Sequence, residues 1–166
     1  LGAMGYRMAA HLPQHFENVL VWNRNFAKAE QHATEYKTQA VTLEQAVQAD
    51  IIFSCLPTSQ QVDEIIRQVN IKSGAIWVDC TSGVPDAARQ QAAYLKTQNV
   101  HFLDAPVSGQ TIGAENATLT FMVGGDTEIF NQALIAMQAM GKLIKHVGHS
   151  GAGFAVKAVN NMLLAV

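Results

Sequence analysis

Short apolar runs alternate along the chain with longer stretches in which apolar residues recur every three or four positions. The short runs are typical of buried strands, and the longer stretches have the period of amphipathic helices. In segment 59–69, for example, Val62, Ile65, Ile66 and Val69 fall on one helix face. The pattern predicts strands at 18–23, 50–57, 75–81, 100–107, 119–125 and 143–148, and helices at 25–36, 59–69 and 126–140, with a further helix beginning near Pro85.

This alternation of strands and helices predicts βαβ units, and therefore an α/β fold with a doubly wound, mainly parallel sheet. In such sheets, ligands bind outside the carboxyl ends of the strands. The segments that leave each predicted strand are therefore the places where a binding site is expected.

The composition fits this fold class and excludes several partners. The 166 residues are 49% hydrophobic and 14% charged, which allows one compact domain with a sizeable core. The net charge of -2, with no block of like charges, gives no electrostatic case for nucleic acid. No apolar run approaches the roughly 20 residues of a membrane helix, and the N-terminus lacks the pattern of a secretory signal. We therefore expect neither nucleic acid nor a membrane as a partner.

The positions of cysteine and histidine point to a cytoplasmic protein without a metal site. Cys55 and Cys80 each end an apolar run and form neither a zinc motif nor a disulfide framework, which predicts buried thiols in a reducing cytoplasm. His11 and His15 have the spacing of helical metal ligands, but Pro13 lies between them, so we expect no metal there.

The chain opens with "LGAMGYRMAAHL", in which Gly2 and Gly5 match the second and third glycines of a G-x-G-x-x-G loop. Such glycines let backbone N–H groups approach a pyrophosphate at the positive end of the following helix. The first glycine, and the strand that carries it, would precede Leu1. Because a missing central strand leaves backbone groups unpaired, we expect the natural protein to extend upstream of Leu1.

Asn23 and Arg24 follow the predicted strand 18–23, where NAD-binding sites usually place an acidic residue for the ribose hydroxyls. Neither position is Asp or Glu, and an arginine at this point can bind a 2′-phosphate by donating hydrogen bonds to it. The sequence favours this interpretation of Arg24 over a plain surface arginine.

The segment "SGAGFAVKAVNN" (150–161) predicts a glycine-led helix with a single lysine, Lys157. Lys157 and Asn161 are four residues apart and share one helix face, which favours Asn161 over Asn160 as its partner. Gly153 lies one turn earlier on that face and is expected to leave room for a ligand. Taken alone, the segment is equally compatible with a solvated surface lysine.

Taken together, six segments resemble the β-hydroxyacid dehydrogenases, a family that includes 3-hydroxyisobutyrate dehydrogenase, tartronate semialdehyde reductase and 6-phosphogluconate dehydrogenase. The resemblance covers essentially the whole chain in the family's order, and "DAPVSG" and the glycine-led lysine helix are its most specific parts. The six segments are "LGAMGYRMAAHL", "WNRN", "CLPTSQQV", "VDCTSGVP", "LDAPVSGQTIGAENATLTFMVGG" and "GAGFAVKAVNN".

The resemblance implies a domain organisation. It implies an NAD(P)-binding Rossmann domain over 1–150, without its first strand, and the start of an interdomain helix over 151–166. The family's C-terminal helical domain, which closes the active site and usually supplies the dimer interface, is not in this sequence. The resemblance therefore also implies a homo-oligomer in the full-length protein.

The resemblance also implies roles for individual residues. Lys157 is the implied catalytic residue, and Ser108, Gly109 and Asn161 are the implied substrate-binding residues. Ser82 stands where the family usually has a threonine that touches the nicotinamide ribose. The implied cofactor-binding residues are Gly2, Met4, Gly5, Asn23, Arg24, Leu56, Pro57, Gln61 and Ser82.

The chain departs from the family pattern in the substrate loop and beside it. Gln110 follows Gly109 where the family commonly has a second glycine, and Ala117 replaces a glycine before the next strand. Thr81 stands where the family has a serine, so the hydroxyls of residues 81 and 82 are exchanged. These departures leave the identity of the substrate acid open.

The sequence therefore predicts an NADP-preferring oxidoreductase, with NAD as the alternative cofactor, that interconverts a small 3-hydroxy acid and its semialdehyde. Desolvation and a neighbouring cationic nicotinamide would lower the pKa of Lys157 towards general-base values. Two alternatives stay open: an imine reductase of the same fold, in which the lysine is usually replaced, and a non-catalytic dinucleotide-binding module.

Overall fold

The computed structural model describes residues 1–164, which form eight strands, eight α-helices and a 3-10 turn at Leu12–Gln14. The strands are β1 (Leu20–Val21), β2 (Gln39–Ala40), β3 (Ile51–Ser54), β4 (Ile76–Asp79), β5 (His101–Asp104), β6 (Val107–Ser108), β7 (Leu119–Gly124) and β8 (Gly141–Gly148). The helices are α1 (Ala3–Ala9), α2 (Phe26–Tyr36), α3 (Leu43–Ala46), α4 (Ser59–Gln68), α5 (Pro85–Lys96), α6 (Gln110–Glu115), α7 (Thr127–Gln138) and α8 (Ala152–Leu164).

The prediction of an α/β fold with a mainly parallel sheet is confirmed. The main sheet has six strands, in which β3, β4 and β5 are parallel neighbours and β8 pairs with β7 in parallel. Only β7 introduces antiparallel pairs, with β5 and β6. Within residues 1–164, β1 and β2 form a separate two-stranded parallel sheet.

Strand β7 pairs along the same edge with both β5 and β6. Asp104 faces Gly124, Val107 faces Phe121 and Ser108 faces Thr120, so both strands keep one register along β7. The predicted strand 100–107 is thus divided near Pro106, a residue without the N–H that a continuous ladder requires.

The sheet buries apolar side chains on both of its faces, as a doubly wound fold requires. Alternate residues of β4 point to opposite sides, so Val78 joins one core cluster and Trp77 the other. The first cluster includes Leu103, Phe121 and Met137, and the second includes Phe102, Ile66, Leu95 and Phe154. At roughly 1.5–3 kcal/mol for each large side chain, this burial is the main stabilising contribution.

Both cysteines are free thiols, and Cys80 is buried whereas Cys55 is half-buried beside α1. The prediction of two buried thiols is therefore correct for Cys80 only. Within residues 1–164, no helix is both long and apolar enough to span a membrane.

Candidate functional site

The carboxyl ends of β3, β4 and β5 carry a row of buried polar residues. Ser54 faces Asp79 in the strand register, and Asp79 faces Asp104. The Ser54 hydroxyl donates to Asp79 Oδ1 across 2.8 Å and accepts from Trp77 Nε1, also across 2.8 Å. Burial raises the pKa of Asp79 to about 6, and the hydrogen bonds from Thr81 and Ser54 act in the opposite direction. The row fixes the three loops that leave the strands.

The hydroxyls of Thr81 and Ser82 have different surroundings. Thr81 is buried, its backbone N–H donates to Asp79 Oδ1 across 3.1 Å, and its hydroxyl oxygen accepts from the backbone N–H of Leu56 across 3.1 Å. Ser82 is exposed, and in the described part of the chain its hydroxyl has no hydrogen-bond partner. Of the two hydroxyls, that of Ser82 is therefore open to a ligand, whereas that of Thr81 is used within the fold.

The loop after β3 carries Leu56 and Pro57 and leads into α4. Leu56 is half-buried, Pro57 is exposed, and Thr58 caps the helix by accepting from the backbone N–H of Gln61 across 3.3 Å. Gln61 Oε1 is buried and has no hydrogen-bond partner among the described residues. An unsatisfied buried amide oxygen costs about 1–3 kcal/mol, which a ligand hydroxyl near this loop would offset.

The glycine loop has open space where a dinucleotide would approach. Gly2 is the N-cap of α1 and supplies no side-chain cap, and a Cβ at this position would meet nothing within 4 Å. At Gly5, an added Cβ would lie 3.5 Å from Cys55 Cβ, which is an ordinary contact. Met4 is half-buried and packs on the first core cluster. The residues present fit a cofactor, and the structural observation that supports this fit is the buried Gln61 Oε1 without a hydrogen-bond partner among the described residues.

Asn23 and Arg24 follow β1, which ends at Val21 and is shorter than the predicted strand 18–23. Asn23 Nδ2 donates to the carbonyl of Asn25 across 2.9 Å. Arg24 is exposed and forms no salt bridge within residues 1–164. Its guanidinium is thus open to an anionic ligand.

The substrate loop keeps glycine-like backbone conformations at two positions without glycine. Gly109 has φ 132° and begins α6, and Gln110 and Ala117 have φ 56° and 53°. These are the two positions at which the sequence departs from the family's glycines. A non-glycine residue in this region costs about 1 kcal/mol, so the chain retains the loop's backbone path at an energetic cost.

Helix α8 carries Lys157 and brings Asn160 to the substrate loop. Lys157 is half-buried, and desolvation lowers its pKa. Asn160 Nδ2 donates to Ser108 Oγ across 3.5 Å, which joins α8 to β6. Asn161 is exposed, and its side chain has no hydrogen bond within residues 1–164. The helical spacing favoured Asn161, but the residue that contacts Ser108 is Asn160, because positions i+3 and i+4 both share the face of Lys157.

Gly153 has a different role from the one expected. A Cβ at this position would lie 2.4 Å from the carbonyl oxygens of Asp104 and Met122. The glycine therefore allows α8 to pack directly on β5 and β7, and the expectation that it leaves room for a ligand is wrong.

Asp104 is a residue that the sequence reasoning missed. It is fully buried, and its Oδ1 and Oδ2 accept from the backbone N–H groups of Gly151 across 2.8 Å and Phe154 across 3.1 Å. Burial raises the pKa of Asp104, and the hydrogen bonds from these N–H groups lower it. The available signal was an aspartate at the end of an apolar strand, because a buried carboxylate needs donors.

Parallel strands whose loops meet at one edge, beside a glycine-led helix, define a dinucleotide-binding α/β domain. Residues 1–148 match the family model of the NAD binding domain of 6-phosphogluconate dehydrogenase. The chain belongs to this family, and its assignment to the N-terminal domain of the β-hydroxyacid dehydrogenases is confirmed.

Two relatives with named activities are similar to this chain over its whole length. The NAD-dependent L-serine dehydrogenase of Pseudomonas aeruginosa is 37% identical over 100% of this chain and 58% of its own length. The mitochondrial 3-hydroxyisobutyrate dehydrogenase of Drosophila melanogaster is 34% identical over 100% of this chain and 52% of its own length. The chain thus spans little more than half the length of these relatives.

Solved structures share the fold. The 3-hydroxyisobutyrate dehydrogenase of Mycobacterium tuberculosis, solved with L-serine, has a TM-score of 0.90 and 32% identity and covers 99% of this chain and 58% of its own. An imine reductase variant from Myxococcus stipitatus, solved with NAD+, has a TM-score of 0.82 and 25% identity over 99% of this chain and 57% of its own.

Proposed function

We propose that the protein is an NADP-preferring oxidoreductase that interconverts a small 3-hydroxy acid and its semialdehyde. The observation that carries the proposal is the half-buried Lys157, on a helix that Asn160 joins to Ser108. The relatives support the substrate class, because 3-hydroxyisobutyrate and L-serine both carry a hydroxyl on the carbon β to a carboxylate.

The cofactor-binding residues in this proposal come from three loops at the carboxyl edge of the strands and from the α1 loop. The cofactor supplies hydride transfer when bound. Gly2 offers open space to the pyrophosphate, and Ser82 and Gln61 offer a hydroxyl and a buried amide oxygen to the nicotinamide-side ribose. The full set is Gly2, Met4, Gly5, Asn23, Arg24, Leu56, Pro57, Gln61 and Ser82.

The preference for NADP rests on Arg24. Its guanidinium is exposed and free of salt bridges within residues 1–164, at the strand end that faces the adenine ribose in this class of domain. Neither Asn23 nor Asn25 supplies a carboxylate for the ribose hydroxyls. A 2′-phosphate would gain a charge-assisted hydrogen bond there, and NAD would not.

Lys157 acts as the acid and base in the proposed reaction. In the oxidation direction, its neutral amine takes the proton of the substrate hydroxyl, and in reduction its ammonium returns that proton. Desolvation lowers the pKa of Lys157 and so raises the fraction of neutral amine near neutral pH. Ser108 and the backbone N–H of Gly109 orient the carboxylate, and Asn161 donates to the substrate from the next turn of α8.

The protein is also proposed to assemble as a homo-oligomer. The outer face of α8 leaves apolar side chains exposed, with Met162, Leu163 and Leu164 at 70%, 73% and 75% of their full accessibility. Such a surface is typical of one that packs against another domain or against a second copy of the protein. Light scattering of the purified protein measures its mass in solution, and a monomer at micromolar concentration would contradict this part of the proposal.

The likeness to imine reductases makes imine reduction the second candidate activity. A panel assay separates the two activities: the purified protein is incubated with 3-hydroxyisobutyrate, L-serine, other small hydroxy acids and cyclic imines, each with NADP(H) and NAD(H). We expect hydroxy-acid oxidation that is fastest with NADP+ and is lowered by roughly 10²–10⁴-fold in Lys157→Ala. Turnover of imines alone would overturn the proposal, and cofactor binding without any turnover would favour the non-catalytic module.

A further inference from the structure

We infer that Asp104 is a positioning residue, which sets the place of Lys157 relative to Ser108 by holding the first turn of α8 on the sheet. The inference rests on the proposed function, since it concerns the reaction of Lys157. Three observations support the positioning role: two hydrogen bonds from the start of α8 to Asp104, the close approach of Gly153 to the strands, and the place of Asp104 in the chain before Ser108.

The two hydrogen bonds are accepted by the carboxylate oxygens of Asp104. Oδ1 accepts from Gly151 N–H and Oδ2 from Phe154 N–H, at 2.8 and 3.1 Å. These are N–H groups that the first turn of a helix leaves without an intrahelical acceptor. A carboxylate at this point also interacts favourably with the positive end of the helix dipole. Both carboxylate oxygens of the fully buried Asp104 therefore accept hydrogen bonds from the start of the helix that carries Lys157.

The helix lies so close to the strands that its position is set narrowly. At Gly153 a Cβ would approach the carbonyl oxygens of Asp104 and Met122 to 2.4 Å, so the first turn of α8 rests on backbone. Lys157 follows Gly153 by four residues, one turn along the helix. Any outward shift of the first turn therefore moves the amine as well.

The first turn of α8 also packs against the loop that carries Ser82. Phe154 is buried, and a Cβ at Gly83 would lie 2.4 Å from its Cε2 atom. The N–H that Asp104 holds belongs to this same Phe154. Asp104 thus keeps the lysine helix in register with the proposed nicotinamide-side loop.

Asp104 links the helix to the substrate loop through the chain itself. It is the last residue of β5, and Ser108 follows four residues later in β6, in the same register along β7. The side chain of Asp104 binds the lysine helix, while its backbone leads directly to the proposed carboxylate-binding serine. Asp104 therefore positions both the lysine helix and Ser108 relative to the same sheet.

The test compares Asp104→Asn with a control that removes another helix cap, Asp126→Ala. Asp126 also caps a helix with two backbone N–H groups, those of Glu128 and Ile129, but its helix α7 carries no proposed site residue. We expect Asp104→Asn to lower kcat for 3-hydroxyisobutyrate or L-serine by about 10–100-fold, because small displacements of a reacting group have effects of this size. The Kd for NADP+ should change by less than about twofold, since the amide leaves the dinucleotide loops in place.

Asp126→Ala should lower the melting temperature, because it removes the cap of α7, and should leave kcat within about twofold of the wild type. A merely structural role of Asp104 predicts the same pattern for both variants: lower stability, with kcat unchanged at a temperature where each is folded. That result would overturn the inference.

The outcomes separate this inference from the proposed function. If Lys157→Ala keeps its turnover, the proposed function fails, whatever Asp104→Asn does. If Lys157→Ala is inactive and Asp104→Asn turns over normally, the positioning role alone fails.

If Asp104→Asn does not fold, hydrogen exchange of the wild-type protein decides. The amides of Gly151 and Phe154 should exchange as slowly as those of the buried strands, because the carboxylate holds them. Exchange as fast as that of exposed loops would overturn the inference.

Discussion

Asn160 Nδ2 lies 3.5 Å from Ser108 Oγ, and this contact joins helix α8 to strand β6. Asn161, the next residue, is exposed and is the proposed direct donor to the substrate. The two asparagines can therefore be told apart by their dependence on Ser108.

The first prediction concerns this pair. Ser108→Ala and Asn161→Ala should each raise KM for the hydroxy acid by roughly 5- to 100-fold, the weight of one hydrogen bond to a charged group. Asn160→Ala should raise KM in the wild type but not in Ser108→Ala, because it acts through that hydroxyl. Asn161→Ala should raise KM equally in both backgrounds. Steady-state kinetics of the double-mutant cycles measure the coupling, and additive effects of Asn160→Ala and Ser108→Ala would contradict the assigned contact.

The second prediction concerns Arg24 and cofactor choice. The wild type should bind NADP+ at least about tenfold more tightly than NAD+, because one charge-assisted contact with a phosphate contributes about 1.5–3 kcal/mol. Arg24→Ala should remove this difference and leave the Kd for NAD+ unchanged.

Titration calorimetry with both cofactors checks this result, with Arg67→Ala as the control. Arg67 is an exposed arginine on α4 that forms a salt bridge with Asp63. Equal affinities in the wild type, or a preference that survives in Arg24→Ala, would count against the assignment.

A third prediction separates two glycines by their surroundings. Gly2→Ala should leave stability within about 0.5 kcal/mol, since a Cβ there meets nothing within 4 Å and φ is -82°. It should nevertheless weaken dinucleotide binding, because the open space is where the pyrophosphate is proposed to lie. Gly83→Ala should instead destabilise the fold by about 1–3 kcal/mol, since its Cβ would overlap Phe154 and Ser59. Urea unfolding and cofactor titration measure the two effects, and unchanged cofactor affinity in Gly2→Ala would argue against the glycine loop.

Asp79 gives a fourth prediction, on the pH dependence of stability. Its folded-state pKa is raised from 3.8 to about 6 by burial, so the folded chain binds this proton more tightly than the unfolded chain. The resulting stabilisation is complete below about pH 4 and is lost as the pH rises through 6. Between pH 4 and 7, the free energy of unfolding of the wild type should fall relative to Asp79→Asn by on the order of 3 kcal/mol.

Urea unfolding at a series of pH values measures this difference. His32 titrates in both proteins, so its contribution cancels in the comparison, whereas the charge of Asp104 acts on Asp79, so the difference includes the coupling of these two carboxyl groups. Glu17→Gln, at an exposed position, serves as the control and should follow the wild type. A constant difference between wild type and Asp79→Asn across this range would show that Asp79 titrates normally.

The sequence predicted the parts of the fold that have a strong period or a long apolar run. Strand β4 and helix α4 were both located, because the four consecutive buried residues of β4 predict a strand and the apolar face of α4 predicts a helix. The short elements β2, α3, β6 and α6 were missed. α3 has four residues and depends on its Thr42 capping box, and α6 has six residues and begins at Gln110, whose φ is positive, so neither has an apolar period of its own.

For the candidate site, the sequence located the segments but not the contacts between them. Lys157 and Ser108 were proposed from motifs, and the contact that joins their elements is made by Asn160, three residues after Lys157 on α8. The tether by Asp104 and the steric role of Gly153 depend on how α8 lies across β5 and β7, which no local pattern encodes. Long-range packing of this kind joins residues that are almost 50 positions apart in the chain.

The last prediction concerns Lys157 as the acid and base. Lys157→Ala should lower kcat by roughly 10²–10⁴-fold, the usual weight of one positioned proton-transfer group. Lys157→Arg should be nearly as damaging, because a guanidinium does not release its proton near neutral pH. Neither variant should change the Kd for NADP+ by more than about twofold, since the dinucleotide is held by other loops.

The pH profile of the wild type provides the complementary measurement. The neutral amine is the base in oxidation, so kcat should rise with pH through the pKa of Lys157. Desolvation lowers that pKa from 10.5, so the rise should lie at lower pH than for an exposed lysine. In the reduction direction the ammonium is the acid, and kcat should fall with pH over the same range. A surface lysine predicts active Lys157→Arg and Lys157→Ala variants whose profiles match that of the wild type, and that result would remove Lys157 from the mechanism.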